Sequence, residues 1–332
     1  MRVAGPGRKS NKIDLKSIVK PFFYVSSVLI ILVVIFNLFS YSTFKQDEQK
    51  LYKAEMKDNY AVYAFPTPDS VTFLGEHVPL ENFDVRESLD MELHKIGYWH
   101  AEMFLYLKRA NRYFPVIEPI LKKNNIPDDF KYICATESGL TNAVSPAKAE
   151  GFWQIMSGTA KQYGLEVNDE VDERYHLVKA TEVACKYLKD KFARFGNWTI
   201  TAASYNAGDS GINRFIGYQN EKSYYDLALL TETGRYIYRA LAIKLIMENP
   251  KAYGFNFTKN DLYPVIQTKP VEVDSAINDL TAFAKSQGTN YKMLKYFNPW
   301  LRNKKLTNKN KTKYIIDIPA EGARNKNYFA EK

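Results

Sequence analysis

The chain has 332 residues, of which 45% are hydrophobic and 25% charged, so it resembles an ordinary globular protein rather than a disordered one. Its formal net charge of +9 is concentrated at the two ends, with +5 in residues 1–20 and +8 in residues 251–332, while the remainder carries −4. This distribution excludes one continuous basic footprint, and we expect no nucleic-acid partner.

Residues 21–44 contain no charged side chain and are long enough for a helix to cross a bilayer. Six basic residues in the tail 1–20 precede this stretch, which favours a cytoplasmic amino terminus. A cleaved signal peptide is the alternative, but the stretch exceeds a typical signal core and no small-x-small site follows it in residues 37–46. We therefore expect a single-pass anchor in the cytoplasmic membrane, with residues 45–332 on the extracytoplasmic side.

Residues 45–84 mix charged residues with three prolines and show no sustained helical period, which predicts an extended lead-in segment. From residue 85 to residue 255 the apolar residues recur at helical spacing, which predicts an all-helical domain. The fold class expected for the whole chain is therefore mainly α.

Three stretches within this domain predict particular helices. Tyr98–Tyr113 is amphipathic, and Pro115 stands where a new helix would begin. Leu177–Phe195 places apolar residues three and four apart, and Gly196 supplies a stop. Tyr236–Met247 repeats the pattern before a terminating proline.

Residues 263–320 change in character and predict a small α+β module, followed by a tail at 321–332. Two β-rich stretches, Pro264–Val273 and Lys313–Ile318, flank helical patterns at Ser275–Ser286 and Tyr291–Tyr296. The expected order is strand, helix, helix, strand.

The most informative residue is Glu137, which ends the amphipathic stretch 128–136 and opens a turn-rich run. Two further segments follow it, Gly-Phe-Trp-Gln-Ile-Met at 151–156 and Ser-Tyr-Asn-Ala-Gly at 204–208. We expect the fold to bring the Tyr205 hydroxyl and the Asn206 amide against the carboxyl group of Glu137.

A carboxyl group placed beside Phe152, Trp153 and Met156 would lose solvation, and this raises its pKa and keeps it protonated near neutral pH. Gln154 offers hydrogen bonds to sugar substituents, and the aromatic rings offer area for a sugar face. This combination is typical of acid-catalysed acetal cleavage. Taken singly, each residue has a structural explanation, because glutamates end many helices and tryptophans fill cores.

Other chemistries lack support in the sequence. The four histidines form no HExxH pattern, and no Gly-x-Ser-x-Gly elbow occurs, so metallopeptidase and serine-hydrolase functions are not indicated. Cys134 and Cys185 lie in helical apolar patterns without metal spacing, and we interpret both as inert packing residues. We expect no metal and no organic cofactor.

These segments together resemble the successive signatures of lytic transglycosylases with a goose-type lysozyme-like fold. Two flanking segments are similar to the membrane-bound lytic transglycosylase D subgroup, Ile126–Tyr132 and Val171–Tyr175. The resemblance covers about residues 80–248. It implies that Glu137 is the single catalytic acid and base and that the groove is lined by Ser145, Gln154, Met156, Tyr205, Asn206 and, within a slightly different local order, Glu232.

The resemblance also implies peptidoglycan as the substrate, cut between N-acetylmuramic acid and N-acetylglucosamine with formation of a 1,6-anhydro ring. The C-terminal module resembles a divergent lysin motif, a unit that binds glycans containing N-acetylglucosamine. Two alternatives remain open. One is a hydrolytic lysozyme-like enzyme that uses the same acid, and the other is a non-catalytic wall-binding scaffold.

Overall fold

The computed structural model describes residues 29–36 and 63–325. The chain forms two compact units, residues 1–63 and 64–332. In the first unit residues 29–36 are helical. No helix within the described ranges has both the length and the apolar character needed to cross a membrane. The rest of the predicted anchor and the basic tail 1–20 lie outside the described residues.

The second unit opens with a short hairpin that belongs to the core. Strands β1 (Val71–Phe73) and β2 (Glu76–Val78) are antiparallel and are joined by a turn at Leu74 and Gly75. Both turn residues have positive φ, which suits a tight hairpin. Because the Phe73 and Leu74 side chains are fully buried, the end of the predicted lead-in segment packs as part of the domain.

The domain is mainly α, as the sequence predicts. Its helices are α1 (Phe83–Tyr98), α2 (His100–Lys123), α3 (Phe130–Ser138), α4 (Ser157–Gln162), α5 (Leu177–Phe195), α6 (Trp198–Ala207), α7 (Asp209–Gln219) and α8 (Thr231–Glu248). Helix α8 packs against α1, α3 and α6. Most of its residues between 236 and 246 are buried, so this helix forms the middle of the domain. This packing places the end of α3 beside the first turns of α8.

The prediction that a new helix begins at Pro115 is wrong, because α2 continues through Pro115 and Pro119. A proline inside a helix removes one hydrogen bond to the carbonyl four residues earlier, here that of Asn111. Asn111 and Pro115 both lie on the exposed side of α2, where water can solvate this carbonyl. The opposite side buries Ile117 and Leu121, and this burial keeps the helix continuous.

The C-terminal module has the predicted order of strand, helix, helix and strand. Strand β3 (Thr268–Val273) pairs antiparallel with β4 (Tyr314–Pro319), and between them lie α9 (Leu280–Ser286) and α10 (Tyr291–Phe297). The first of these helices starts later than the sequence pattern indicates, after the Asp279 side chain caps it. The module core also contains Val171 and Tyr175 of the helical domain.

The module is docked on the helical domain through backbone pairing. Val171 forms an antiparallel bridge with Leu301, and the Arg302 N–H donates to the Glu170 carbonyl over 2.8 Å. The Glu170 carboxylate accepts hydrogen bonds from the Thr307 backbone and hydroxyl, each at 2.6 Å. These contacts make the module a fixed part of one body with the helices.

Candidate active site

Glu137 lies on the last turn of α3, and the end of this helix is tightly defined. Gly139 follows in the left-handed conformation with φ 60°, and its N–H donates to the Ala135 carbonyl. A Cβ atom on Gly139 would lie 2.8 Å from the Tyr106 ring, and the Arg109 guanidinium donates to the Gly139 carbonyl over 2.9 Å. Helix α2 therefore fixes where α3 stops and where the Glu137 side chain points.

The carboxyl group of Glu137 is half-buried against α8, where it accepts a hydrogen bond from the Tyr236 hydroxyl. Desolvation raises the pKa of Glu137 to about 7. The Tyr236 hydrogen bond and the positive charge of Arg239 act in the opposite direction, while the charge of Glu232 acts with the desolvation. Near neutral pH the group is thus poised to give up a proton and to take it back.

Glu232, Tyr236 and Arg239 occupy one face of α8, at spacings of four and three residues. The Arg239 guanidinium pairs with the Glu232 carboxylate at 3.0 Å and lowers its pKa. Glu232 is mostly exposed and faces the site as an ionised group. Sequence reasoning selected Glu232 but missed Tyr236 and Arg239. Their helical spacing from Glu232 was the available signal.

The loop 143–155 carries four predicted substrate-binding residues, and in the structure two of them, Ser145 and Gln154, shape the loop through hydrogen bonds. The Ser145 hydroxyl accepts from the Ala149 N–H at 3.0 Å. The Gln154 amide nitrogen donates to the Ala143 and Gly151 carbonyls at 2.9 and 2.7 Å. Gln154 also has φ 47°, so its backbone is held in a conformation that non-glycine residues rarely adopt.

The buried Arg174 holds this loop from beneath. Its guanidinium donates to the carbonyls of Lys148 and Ile155 and pairs with the Glu150 carboxylate at 3.1 Å. Gly151 is required here, because a Cβ atom would come within 2.1 Å of the Arg174 carbonyl oxygen. Arg174 also pairs with the Asp172 carboxylate at 2.6 Å, so one guanidinium is shared between two acidic side chains beneath the loop.

Met156 and Tyr205 line a small pocket on the far side of Gln154, together with Tyr187. Met156 is 46% exposed, and the Tyr205 ring meets Tyr187 edge-on at 5.4 Å. The Tyr205 hydroxyl donates to the Trp153 carbonyl at 2.6 Å. Burial raises the pKa of Tyr205 well above its usual range, and the nearby charge of Glu137 adds to this effect.

The expectation that the Tyr205 hydroxyl and the Asn206 amide lie against the Glu137 carboxyl group requires a correction. The phenol that donates to Glu137 is Tyr236, because Tyr205 is already committed to the backbone of the loop. The Asn206 carbonyl oxygen accepts from the Thr233 hydroxyl at 3.0 Å, which ties the end of α6 to the start of α8. Of the two residues, Tyr205 is close enough for the charge of Glu137 to act on its hydroxyl.

Phe152 and Trp153 lie in the core beneath the loop. Trp153 is fully buried, and its indole N–H donates to the Thr181 hydroxyl over 2.8 Å. The Phe152 ring packs edge-on against Tyr113 at 4.8 Å, and its carbonyl accepts from the Cys134 thiol. These two aromatic residues therefore support the loop from the core and present no ring face at the surface.

Cys134 and Cys185 are both buried thiols, and burial raises the pKa of each. A thiol with a raised pKa is a poor nucleophile, which agrees with a packing role. Among residues 29–36 and 63–325, no group of three or more histidine, cysteine, aspartate or glutamate side chains is arranged to hold a metal ion.

The comparisons with known proteins match two separate segments of the chain. Residues 114–228 match the family described as the transglycosylase SLT domain, and residues 269–322 match the soluble lytic transglycosylase C-terminal LysM-like domain. Membrane-bound lytic murein transglycosylase D of Escherichia coli strain K12 is 28% identical over 254 residues, which cover 73% of this chain and 54% of that protein. The protein of the same name in Escherichia coli O6:H1 strain CFT073 gives the same identity and coverage.

The chain thus spans about half the length of the curated relatives it matches. The two family matches fall on the helical domain and on the docked module, and they confirm the resemblance that the motifs indicate. The helical domain thus contains a match to the transglycosylase SLT domain, and the module after it matches a LysM-like domain of the lytic transglycosylase type.

Proposed function

We propose that this chain is a peptidoglycan lytic transglycosylase in which Glu137 is the single acid and base. The observation that carries the proposal is the half-buried carboxyl group of Glu137, with a pKa of about 7 and a phenol donor, at the end of a rigid helix. The SLT match and the name of the Escherichia coli relatives support peptidoglycan, or murein, as the substrate class.

The reaction begins with protonated Glu137, which gives its proton to the oxygen between N-acetylmuramic acid and N-acetylglucosamine. As this bond breaks, the 2-acetamido carbonyl of the muramic acid stabilises the anomeric carbon. The Glu137 carboxylate then takes the proton of the C6 hydroxyl, whose oxygen attacks the same anomeric carbon and closes a 1,6-anhydro ring. Because the attack is intramolecular, its effective molarity is high and no water is consumed.

The neighbours of Glu137 fit both halves of this cycle. Desolvation favours the protonated acid of the first step. The Tyr236 hydroxyl stabilises the carboxylate that forms between the two steps, and Arg239 adds a positive charge nearby. A second carboxylate is not required, because the substrate supplies its own nucleophile.

The remaining predicted residues are proposed to hold the glycan strand. Gln154 and Met156 present polar and apolar groups at the pocket beside the loop, and Tyr205 completes its wall. Ser145 and Asn206 are proposed to contact the same strand, and Glu232 is proposed to offer it an ionised carboxylate. We assign Phe152 and Trp153 to positioning, because both are buried.

We further propose that residues 21–44 anchor the enzyme in the cytoplasmic membrane, with the helical domain on the extracytoplasmic side. The support is the uncharged stretch, the basic residues before it, and the membrane-bound relative. Fractionated cells should retain the full-length chain in the membrane fraction. A soluble mature form beginning near Lys45 would contradict the anchor.

The experiment that tests the reaction is digestion of purified sacculi, with products identified by mass spectrometry. Wild type should release anhydromuropeptides, Glu137→Gln should release none, and the exposed control Glu221→Gln should match wild type. Products heavier by one water would instead identify the hydrolase alternative. If folded wild type released nothing, the wall-binding scaffold would be the better account.

A further inference from the structure

A cleft with a volume of about 240 Å³ lies where the helical domain meets the C-terminal module. We call it the junction cleft. Its walls come from α2, from the start of α5 and from the segment that follows α10, and the residues that define it are Tyr113, Asn142, Val178, Val265, Tyr296 and Trp300. Neither domain alone forms these walls.

The two sides of the junction cleft are held at a fixed separation. The Arg112 guanidinium on α2 donates to the Tyr296 hydroxyl at 2.8 Å and to the Pro264 carbonyl at 3.0 Å. The Asn111 amide on the same helix donates to the Tyr263 carbonyl at 2.9 Å. A cleft that is already formed binds a ligand without first paying the entropy of ordering its walls.

The chemistry of the junction cleft fits a neutral ligand with apolar faces. Val178, Val265 and Tyr296 are each more than 40% exposed although they line a concavity. The amide of Asn142 supplies hydrogen-bond donors and an acceptor at the rim. Two of the five guanidinium N–H groups of Arg112 donate to protein acceptors, and the cleft wall carries the acidic Asp317 as well as this arginine. Apolar rings and methyl groups beside an amide suit an N-acetylated sugar better than an anionic ligand.

The junction cleft lies near Glu137 along helix α2. Arg109 on α2 contacts Gly139, two residues beyond the catalytic carboxylate, and Tyr113 lines the cleft one turn further along, about 6 Å away along the helix axis. Asn142 continues the same chain segment from Glu137 into the cleft rim. A strand bound at Glu137 therefore reaches the cleft within a short oligosaccharide.

We propose that the junction cleft is a glycan subsite that holds an N-acetylated sugar of the strand cut at Glu137. The helical domain and the LysM-like module then bind the strand jointly, through a site that requires their docked arrangement. This inference rests on the proposed function, because it takes the same strand as its ligand.

The test measures binding of chitohexaose, an oligomer of N-acetylglucosamine, to the full-length Glu137→Gln chain by titration calorimetry. Adding Val178→Asp places a charge in the cleft, at the first turn of α5 where an acidic residue suits the helix dipole and should not unfold it. We expect affinity to fall about tenfold or more. The control Met91→Asp, on the exposed face of α1, should leave affinity unchanged.

Asn142→Ala provides a second variant at an exposed position, where the backbone is unaffected, and it should also weaken binding. Affinities of both cleft variants within about twofold of the Glu137→Gln parent would overturn the subsite. Failure of the proposed function would look different, because wild type would then release no anhydromuropeptides from sacculi whatever the binding results.

Discussion

Replacing Glu137 with glutamine should stabilise the fold while it removes activity. The folded state raises the pKa of this carboxyl group from an ordinary 4.5 to about 7. Between these two values the folded chain binds more protons than the unfolded chain, so the contribution of Glu137 to stability falls as pH rises. At 1.36 kcal/mol per pKa unit, the ionised side chain costs at most about 3 kcal/mol at pH 8.

Glutamine avoids this cost because it carries no charge, and its carbonyl oxygen still accepts from the Tyr236 hydroxyl. Solvent screening of the half-buried group reduces the gain, and we expect Glu137→Gln to be more stable than wild type by about 1–3 kcal/mol at pH 8. At pH 5 the difference should shrink below about 1 kcal/mol, because the wild-type residue is then mostly protonated in the folded state.

Urea unfolding of the full-length wild type and variant at pH 5 and pH 8 measures this difference directly. Glu232→Gln is the matched control, since its pKa is lowered by Arg239 and the substitution should give no gain at pH 8. Equal stability of wild type and Glu137→Gln at pH 8, or a difference that does not depend on pH, would refute the account of a desolvated acid.

Two further predictions concern the groups around the acid. Tyr236→Phe removes the hydrogen-bond donor that stabilises the Glu137 carboxylate, which raises the pKa of Glu137. The alkaline limb of the pH–activity profile on sacculi should therefore move up by about one pH unit. An alkaline limb at the same or a lower pH would contradict the role of this hydrogen bond. Gly139→Ala should destabilise the chain by at least about 1–2 kcal/mol in urea unfolding, because its φ of 60° is strained for alanine and its Cβ meets Tyr106. Gly158→Ala in α4 has open space and should be neutral or slightly stabilising, and equal losses at the two glycines would count against the strain argument.

Local patterns predicted the helices well where a periodic apolar face coincided with a clear stop. Leu177–Phe195 is the example, because Gly196 takes the left-handed conformation that ends the helix. Pro115 misled the prediction, since the cost of a proline on an exposed helix face is outweighed by packing on the opposite face. Burial of that kind depends on the packing of the whole domain and cannot be predicted from the residues next to Pro115.

The candidate site, like the helices, was predicted only in part. Glu137 was selected from the order of the motifs, and the structure gives its carboxyl group the raised pKa that was predicted, through desolvation beside Tyr236. The sequence could not show which tyrosine donates to Glu137, because Tyr205 and Tyr236 both lie near apolar segments. Only the crossing of α3 and α8 decides between them. Trp153 was predicted to contact substrate but lies in the core, where its indole N–H donates to the Thr181 hydroxyl.

The docking of the LysM-like module has a consequence for how the molecule melts. Val171 and Tyr175 belong to the helical domain by sequence, yet their side chains complete the apolar interior of the module. When heat loosens the module, these two residues lose their packing, and the adjacent Arg174 donates a hydrogen bond to the Ile155 carbonyl of the loop that carries Gln154. A wall-binding part on a flexible tether would unfold independently, whereas here the two parts should lose their structure in one cooperative transition.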